Sequence, residues 1–257
     1  MSLFDTPVTL CYNRRRMWAF VRYALDALFP RRCAVCRRAV PANESGAICG
    51  MCWAAIALIE GPQCPVCGSP FRSDAALSHS PTHRCGACRE TPPSFTQAVS
   101  AGLYEGVLAE AIRGCKYRNI VKLIPALSPL LRPALDALPA ADAVVPVPLH
   151  PRRLRQRGFN QSLLLAAWVS RSVERPLWPD ALQRIRWTES QITLDRAQRR
   201  SNVRGAFRVR HPGQVAGQRI ILVDDVYTTG ATANECARVL RGAGAEEVYV
   251  VTLARMV

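Results

Sequence analysis

Ile220–Thr232 reads IILVDDVYTTGAT, and the order of its parts decides how the chain is read. Ile220 to Val223 is an aliphatic run suited to a strand buried on both faces. Asp224 and Asp225 follow at its carboxyl end, where open α/β sheets bind their ligands. Thr228, Thr229, Gly230, Ala231 and Thr232 then make a small-residue turn that leads into a helical pattern. Glycine lets the backbone approach a ligand closely. Successive amides and a helix N-terminus favour phosphate, and the threonine hydroxyls add donors. Two carboxylates beside a phosphate cradle are repulsive unless they take sugar hydroxyls or metal. A ribose 5-phosphate bearing a diphosphate meets both demands.

Working outward from this stretch, strands and helices alternate. Ala98–Tyr104, Ala143–Pro148 and Glu247–Leu253 read as strands, and Arg219–Val223 as the strand that carries the acidic pair. Gly106–Arg118, Leu123–Leu138, Gln161–Val173 and Ala231–Arg241 read as helices, the last ended by Gly242 and Gly244. Alternation of this kind predicts an α/β fold on a parallel sheet. Ile185–Val209 is polar, rich in arginine and without a clear period, and is read as a long loop or flap.

The N-terminal third has another texture. Eight of the 11 cysteines fall in four C-x-x-C pairs: Cys33 and Cys36, Cys49 and Cys52, Cys64 and Cys67, Cys85 and Cys88. Two residues between ligands form a tight knuckle that aims both thiolates at one ion. The gaps suggest one four-cysteine site from Cys33, Cys36, Cys49 and Cys52 and another from Cys64, Cys67, Cys85 and Cys88, with a cross-braced pairing also open. His79 and His83 are alternative ligands by type. Four thiolates leave no open position for water, so two structural Zn2+ ions are expected. Turn residues abound here and long apolar runs do not, so the segment needs a staple. Removing the metal is expected to unfold residues 33–90 while the rest persists. The domain reading is an N-terminal helix over 1–32, with Trp18, Val21, Leu25 and Leu28 on one stripe, a double zinc-ribbon-like module over 33–93, and an α/β domain over 94–257.

The net charge of +15 favours anionic partners such as nucleic acid or phosphorylated metabolites. All but Lys116 and Lys122 of the 34 basic residues are arginine. Arg152, Arg153, Arg155 and Arg157 crowd one stretch, where guanidinium forks suit a diphosphate, a nucleic-acid backbone or solvent. Lys116 ends a helix and complements its dipole. The N-terminus lacks a signal-peptide pattern, and no run approaches the length of a membrane span, so no membrane insertion and a cytoplasmic location are expected. Reduced thiols in that compartment can hold metal.

VDDVYTTGAT resembles the signature of type I phosphoribosyltransferases. With GLYEGVLAEAIRGCKYRN from Gly102, VPVPLHPRRLRQRGFNQS from Val145, DRAQRRSNVRGAF from Asp195 and the cysteine pairs, the chain resembles the competence protein F (ComF) family, bacterial proteins linked to DNA uptake and utilisation. The resemblance implies a parallel-sheet, type I phosphoribosyltransferase-like domain preceded by a small cysteine-rich zinc-binding module. It implies ribose hydroxyls on Asp224 and Asp225 as the catalytic pair, and the 5-phosphate on Thr228 to Thr232. It further implies a diphosphate loop at Pro148, Leu149 and His150, a ligand-binding role for Arg157, and a mobile flap around Arg196–Arg204. The implied ligand is phosphoribosyl diphosphate with Mg2+. The implied partners are single-stranded DNA and other DNA-uptake proteins. Turnover is a separate matter, because no residue is identified as the base for an acceptor.

Overall fold

The computed structural model describes residues 31–41, 44, 46–71, 82–188 and 201–257. Residues 1–30 of the N-terminal helix read over 1–32, His79, and residues 189–200 of the flap lie outside these residues, and Arg32 is a β-bridge partner rather than helical.

Four strands form one parallel sheet: β1 (Gln97–Leu103), β2 (Ala143–Pro146), β5 (Arg219–Tyr227) and β6 (Glu247–Arg255), in the order β1-β6-β5-β2. Two short strands, β3 (Leu182–Arg184) and β4 (Phe207–Val209), pair antiparallel beside it. The central position of β5 explains its composition. Ile220, Ile221, Leu222 and Val223 are all nearly or wholly buried, because helices cover both faces. The strand runs four residues beyond the aliphatic stretch, through Asp224 and Asp225 to Tyr227. Pairing with Thr252, Ala254 and Arg255 of β6 holds it extended where side-chain pattern alone gives no strand signal.

On one face lie α3 (Gly106–Tyr117) and α7 (Gln161–Val173), sharing a core that includes Leu108, Ile112, Leu165 and Val251. The other face is covered by the one-turn α8 (Pro212–Val215) and by α9 (Ala231–Gly242), which buries Ala233, Cys236, Ala237 and Leu240 along one helical stripe. The stretch read as one helix over Leu123–Leu138 is broken into α4 (Leu123–Leu127), a 3-10 turn (Ser128–Leu131) and α5 (Arg132–Asp136). Pro125, Pro129 and Pro133 remove the amides a continuous helix needs. Leu127, Leu131 and Leu135 stay buried all the same, so the apolar stripe survives the breaks.

The cysteine-rich residues form two copies of one knuckle. Arg32 bridges Ala39 in the first copy, and Gln63 bridges Pro70 in the second. In each, the backbone turns left-handed four residues after the first cysteine, at Arg37 (φ 62°) and at Gly68 (φ 68°). Each second cysteine pair begins a one-turn helix, α1 (Gly50–Ala54) and α2 (Gly86–Glu90). Between the copies, residues 57–59 run antiparallel along the free edge of β1: Leu103 N donates to Ala57 O and Ile59 N to Ala101 O, at 2.8 and 3.1 Å. That contact covers an edge strand. It also sets the copies on opposite faces of the sheet. Cys33, Cys49 and Cys52 join the core of α3, whereas Cys64, Cys67 and Cys88 join the core of α9.

Candidate functional site

At the carboxyl ends of β2 and β5 the structure opens a cavity of about 800 Å3. Asp224 and Asp225 line it, and each is held differently. One carboxylate oxygen of Asp224 accepts from Ser162 Oγ at 2.8 Å and from the amide of Asp225 at 2.9 Å. Burial, reinforced by the Asp225 carboxylate, pushes Asp224 up to about 6. Asp225 forms an ion pair with Lys116 Nζ at 2.8 Å. Burial alone would lower the Lys116 pKa, but the two carboxylates outweigh it and raise it. Lys116 therefore does more than complement a helix end: it carries α3 to the acidic pair. Its signal in the sequence was the choice of lysine, made only twice among 34 basic residues.

The turn after β5 is shaped by Gly230. Its φ of 75° suits glycine, and a Cβ there would collide with Tyr227 Oη, so a side chain and the tyrosine ring cannot coexist. Thr228, Gly230, Ala231 and Thr232 line the same cavity as the carboxylates. The opening amides of α9 lack intrahelical partners by helix geometry, the arrangement that receives phosphate. Thr229 turns away: its Oγ accepts from Ala231 N at 3.4 Å, and it lines a second cavity of about 950 Å3 behind the turn.

Opposite this turn, the chain leaves β2 through Pro148 and Leu149, which line the first cavity, and enters α6 (Pro151–Arg157). The arginine cluster is thus helical. Pro151 starts the helix and Gly158, left-handed at φ 79°, ends it. His150 is the N-cap, its Nδ1 accepting from Arg152 N at 3.2 Å, and its ring packs edge-on against Trp187 rather than lining the cavity. Arg152 and Arg153 lie over the same indole, 5.0 and 5.2 Å from its centroid. Arg157 lines the cavity and donates to Gln161 Oε1 at 2.9 Å; burial lowers its pKa. Asn160 sets the entry to α7, accepting from Ser162 N and donating to Val147 O.

A residue with no motif to announce it completes the cavity. Arg184, at the end of β3, is 7% exposed and donates to Thr188 Oγ. Its Nε and Gln161 Nε2 are buried without a protein partner. Burial and the neighbouring Arg153 lower the Arg184 pKa. Unpaired buried donors are costly, and an anionic ligand would satisfy these. Five cationic side chains line the cavity against two carboxylates. The fields therefore divide: acid at the end of β5, base across from it. Residues 207–209, inside the stretch read as a loop, are strand β4, and Arg186 donates to the carbonyls of Asn202 and Arg204, closing the base of the flap.

The eight paired cysteines stand in two fours, Cys33, Cys36, Cys49, Cys52 and Cys64, Cys67, Cys85, Cys88, with all sulfurs in each set within 4.8 Å of one another. Tetrahedral zinc with Zn–S near 2.3 Å sets sulfurs about 3.8 Å apart. Cys36 and Cys49 are 3.7 Å apart, Cys67 and Cys85 3.6 Å. The Arg38 amide draws Cys36 down to about 6, while burial and neighbouring thiols push Cys52 up to about 12. A set so divided ionises fully only around a cation. Both fours fit a structural zinc. His83 is not among the grouped ligands. No helix among the described residues is long and apolar enough to cross a membrane.

Comparisons with known proteins agree on the parts. A double zinc ribbon domain family matches residues 24–92, and a phosphoribosyl transferase domain family matches residues 164–256. The chain is 36% identical to the DNA utilization protein YhgH of Escherichia coli K12 over 234 residues, covering 88% of this chain and 97% of that one. It is 34% identical to competence protein F of Haemophilus influenzae, covering 88% and 98%, and 29% identical to competence protein ComFC of Bacillus subtilis, covering 81% and 84%. Among solved structures, a glutamine phosphoribosylpyrophosphate amidotransferase from B. subtilis matches 51% of this chain and 27% of its own at 25% identity, with a TM-score of 0.37.

Proposed function

Because the chain belongs to the ComF family of DNA utilization and competence proteins, we propose that it serves DNA uptake or utilisation and binds phosphoribosyl diphosphate with Mg2+ in the cavity at the end of β5. The observation that carries the ligand is the division of charge around one cavity. Asp224 and Asp225 meet the ribose hydroxyls, Thr228, Gly230, Ala231 and Thr232 take the 5-phosphate, and Arg157 and Arg184 face the diphosphate side. Oxygen-rich carboxylates and phosphates are the donors Mg2+ takes, and the ion would neutralise diphosphate charge. The unpartnered Nε of Arg184 and Nε2 of Gln161 supply donors that water-free closure would otherwise leave unsatisfied. The basic surface, with a net charge of +15, supports a direct contact with single-stranded DNA.

Calorimetry with phosphoribosyl diphosphate and Mg2+ tests the site. The Asp224→Asn/Asp225→Asn double variant is expected to lose binding, and undiminished binding would sink the placement. Single-stranded DNA binding is expected at low salt and to weaken as salt rises; no binding at low salt removes that contact.

A second reading, transfer to an acceptor, draws on the reach of the cavity beyond the carboxylates to Tyr104 and Tyr117, which leaves room for a planar group beside the ribose. The anomeric carbon would exchange diphosphate for the acceptor's nucleophile. Release of diphosphate on addition of candidate acceptors distinguishes this reading from binding alone.

A further inference from the structure

We propose that metal in the second cysteine cluster and ligand at the phosphate turn stabilise one another, with Arg255 as the positioning residue that joins them. The inference rests on the phosphoribosyl reading of the first cavity.

Arg255 is the last residue of β6 and is 6% exposed. Its guanidinium donates to the carbonyl of Cys67, and Nη2 lies 3.8 Å from Cys67 Sγ. The guanidinium sits 4.6 Å from the centroid of the Tyr227 ring. Phe95 meets that ring edge-on at 6.3 Å. Tyr227 in turn occupies the space against Gly230 that a Cβ would need. Register adds a backbone link, since Tyr227 pairs with Arg255 across the sheet and its carbonyl accepts from Met256 N at 2.9 Å. An unbroken path of contacts therefore runs from the sulfur of Cys67 through Arg255 and Tyr227 to Gly230, at the start of α9. The second cavity, about 950 Å3, is walled by members of this same path.

A buried guanidinium needs a counter-charge. Four thiolates around one divalent zinc would carry net negative charge, and Arg255 meets one of them, Cys67. When the metal leaves, the knuckle that presents the Cys67 carbonyl and sulfur to Arg255 is no longer held, and the guanidinium loses those partners. The arrangement of guanidinium on tyrosine ring is then no longer favoured, and the turn loses its backing. Among the described residues, the first cluster is joined to the phosphate turn by no side chain in this way. Its cationic neighbour is Arg38, an exposed side chain whose guanidinium reaches Met51 Sδ at 3.9 Å.

Linkage is reciprocal, so ligand must protect the second cluster by the factor with which metal tightens ligand. The test uses the full, zinc-loaded chain. A zinc-selective chelator and a thiol alkylating reagent are added with and without phosphoribosyl diphosphate and Mg2+, and labelled cysteines are resolved by mass spectrometry. Ligand is expected to slow labelling of Cys64, Cys67, Cys85 and Cys88 by about five-fold or more. Cys33, Cys36, Cys49 and Cys52 are expected to change far less. Arg255→Met is expected to abolish this selectivity and to weaken ligand binding by the same factor, with Arg255→Lys restoring little because an ammonium lacks the planar fork. Tyr227→Leu, which removes the ring and leaves the Cys67 contacts, is expected to abolish selectivity too, and it serves as the readout if Arg255→Met does not fold. Equal protection of both clusters, or of neither, in a chain that binds ligand overturns the inference alone. Selectivity retained in both variants overturns it as well. A wild-type chain that binds no ligand overturns the phosphoribosyl reading and this inference with it.

Discussion

The two cysteine knuckles are copies in backbone and opposites in setting. Both place four sulfurs within 4.8 Å, and in both an amide points at the first sulfur, Cys49 N to Cys33 Sγ and Cys85 N to Cys64 Sγ, at 3.4 Å. At the left-handed position one copy has Arg37 and the other Gly68. A Cβ on Gly68 would lie 2.5 Å from Ala98 O of β1, whereas Arg37 is exposed. The second copy is pressed against the sheet and reaches the phosphate turn through Arg255. The first backs the face of α3, whose Lys116 holds Asp225. Each copy therefore stands behind a different half of the candidate site. A shared motif fixes local geometry, and what it abuts sets its consequence.

Metal removal is the strongest way to break this comparison. Sequence pattern led to the expectation that residues 33–90 unfold alone. The packing points elsewhere, because each knuckle lies in a core shared with the sheet. A structural zinc contributes on the order of 10 kcal/mol, comparable to the whole stability of a domain. Chelation is expected to remove most of the helical circular dichroism of the entire chain, in two steps that follow the emptying of the two clusters, since each cluster stands in a different core. Retention of the α/β signal would restore the modular picture.

Glycine exchanges come next. Gly68→Ala drives a Cβ into the backbone carbonyl of Ala98 and Gly230→Ala drives one into the tip of the Tyr227 side chain, both at positive φ, and a loss of about 2–4 kcal/mol from denaturant unfolding is expected for the first and about 1–3 kcal/mol for the second. Gly230→Ala should also abolish ligand binding, while Gly68→Ala should weaken retention of metal at the second cluster. A cost below about 1 kcal/mol for either would show that the neighbour yields.

The acidic pair gives a pH-dependent test on the half of the site backed by the first knuckle. Asp224 is held at about 6 in the folded chain, above its ordinary 3.8. The folded state therefore binds the proton more tightly than the unfolded state. Stability is greatest below pH 4 as far as this group is concerned, and falls as pH rises through the window from about 4 to about 6. Asp224→Asn should flatten that fall and gain up to roughly 2–3 kcal/mol at pH 7, while losing ligand. An unchanged pH profile would remove Asp224 as the strained carboxylate.

The smallest effect belongs to the left-handed arginine. Arg37→Gly is expected to gain about 0.5 kcal/mol, since relief of the Cβ penalty slightly exceeds the entropy glycine loses. A loss on thermal unfolding would mean that the Arg37 side chain contributes packing.

Much of the site was legible because it lies on contiguous motifs. The motif from Ile220 to Thr232 gave the strand, the carboxylates and the turn, and the four C-x-x-C pairs gave both metal sets as first paired. Lys116 and Arg184 were not legible as site residues. They come from α3 and β3, and only closure of the sheet brings them to β5. His150 was read as part of a loop beside the ligand because it follows a strand end, but Pro151 turns the chain into a helix and makes it a cap. The break in Leu123–Leu138 was written in three prolines spaced by four, which an apolar stripe of the same period concealed.

By itself the sequence determined the pieces whose physics is local: an aliphatic strand, a glycine turn, tight cysteine knuckles, and a helix ended by glycine. The tertiary structure alone decided which charges meet. It set Lys116 on Asp225, Ser162 on Asp224 and Arg255 between Cys67 and Tyr227. The reason is one of range. Dihedral preferences and hydrogen bonds within a turn act over a few residues. Pairings across 62 to 188 residues of chain exist only once strands are in register and buried charge must find its counterpart.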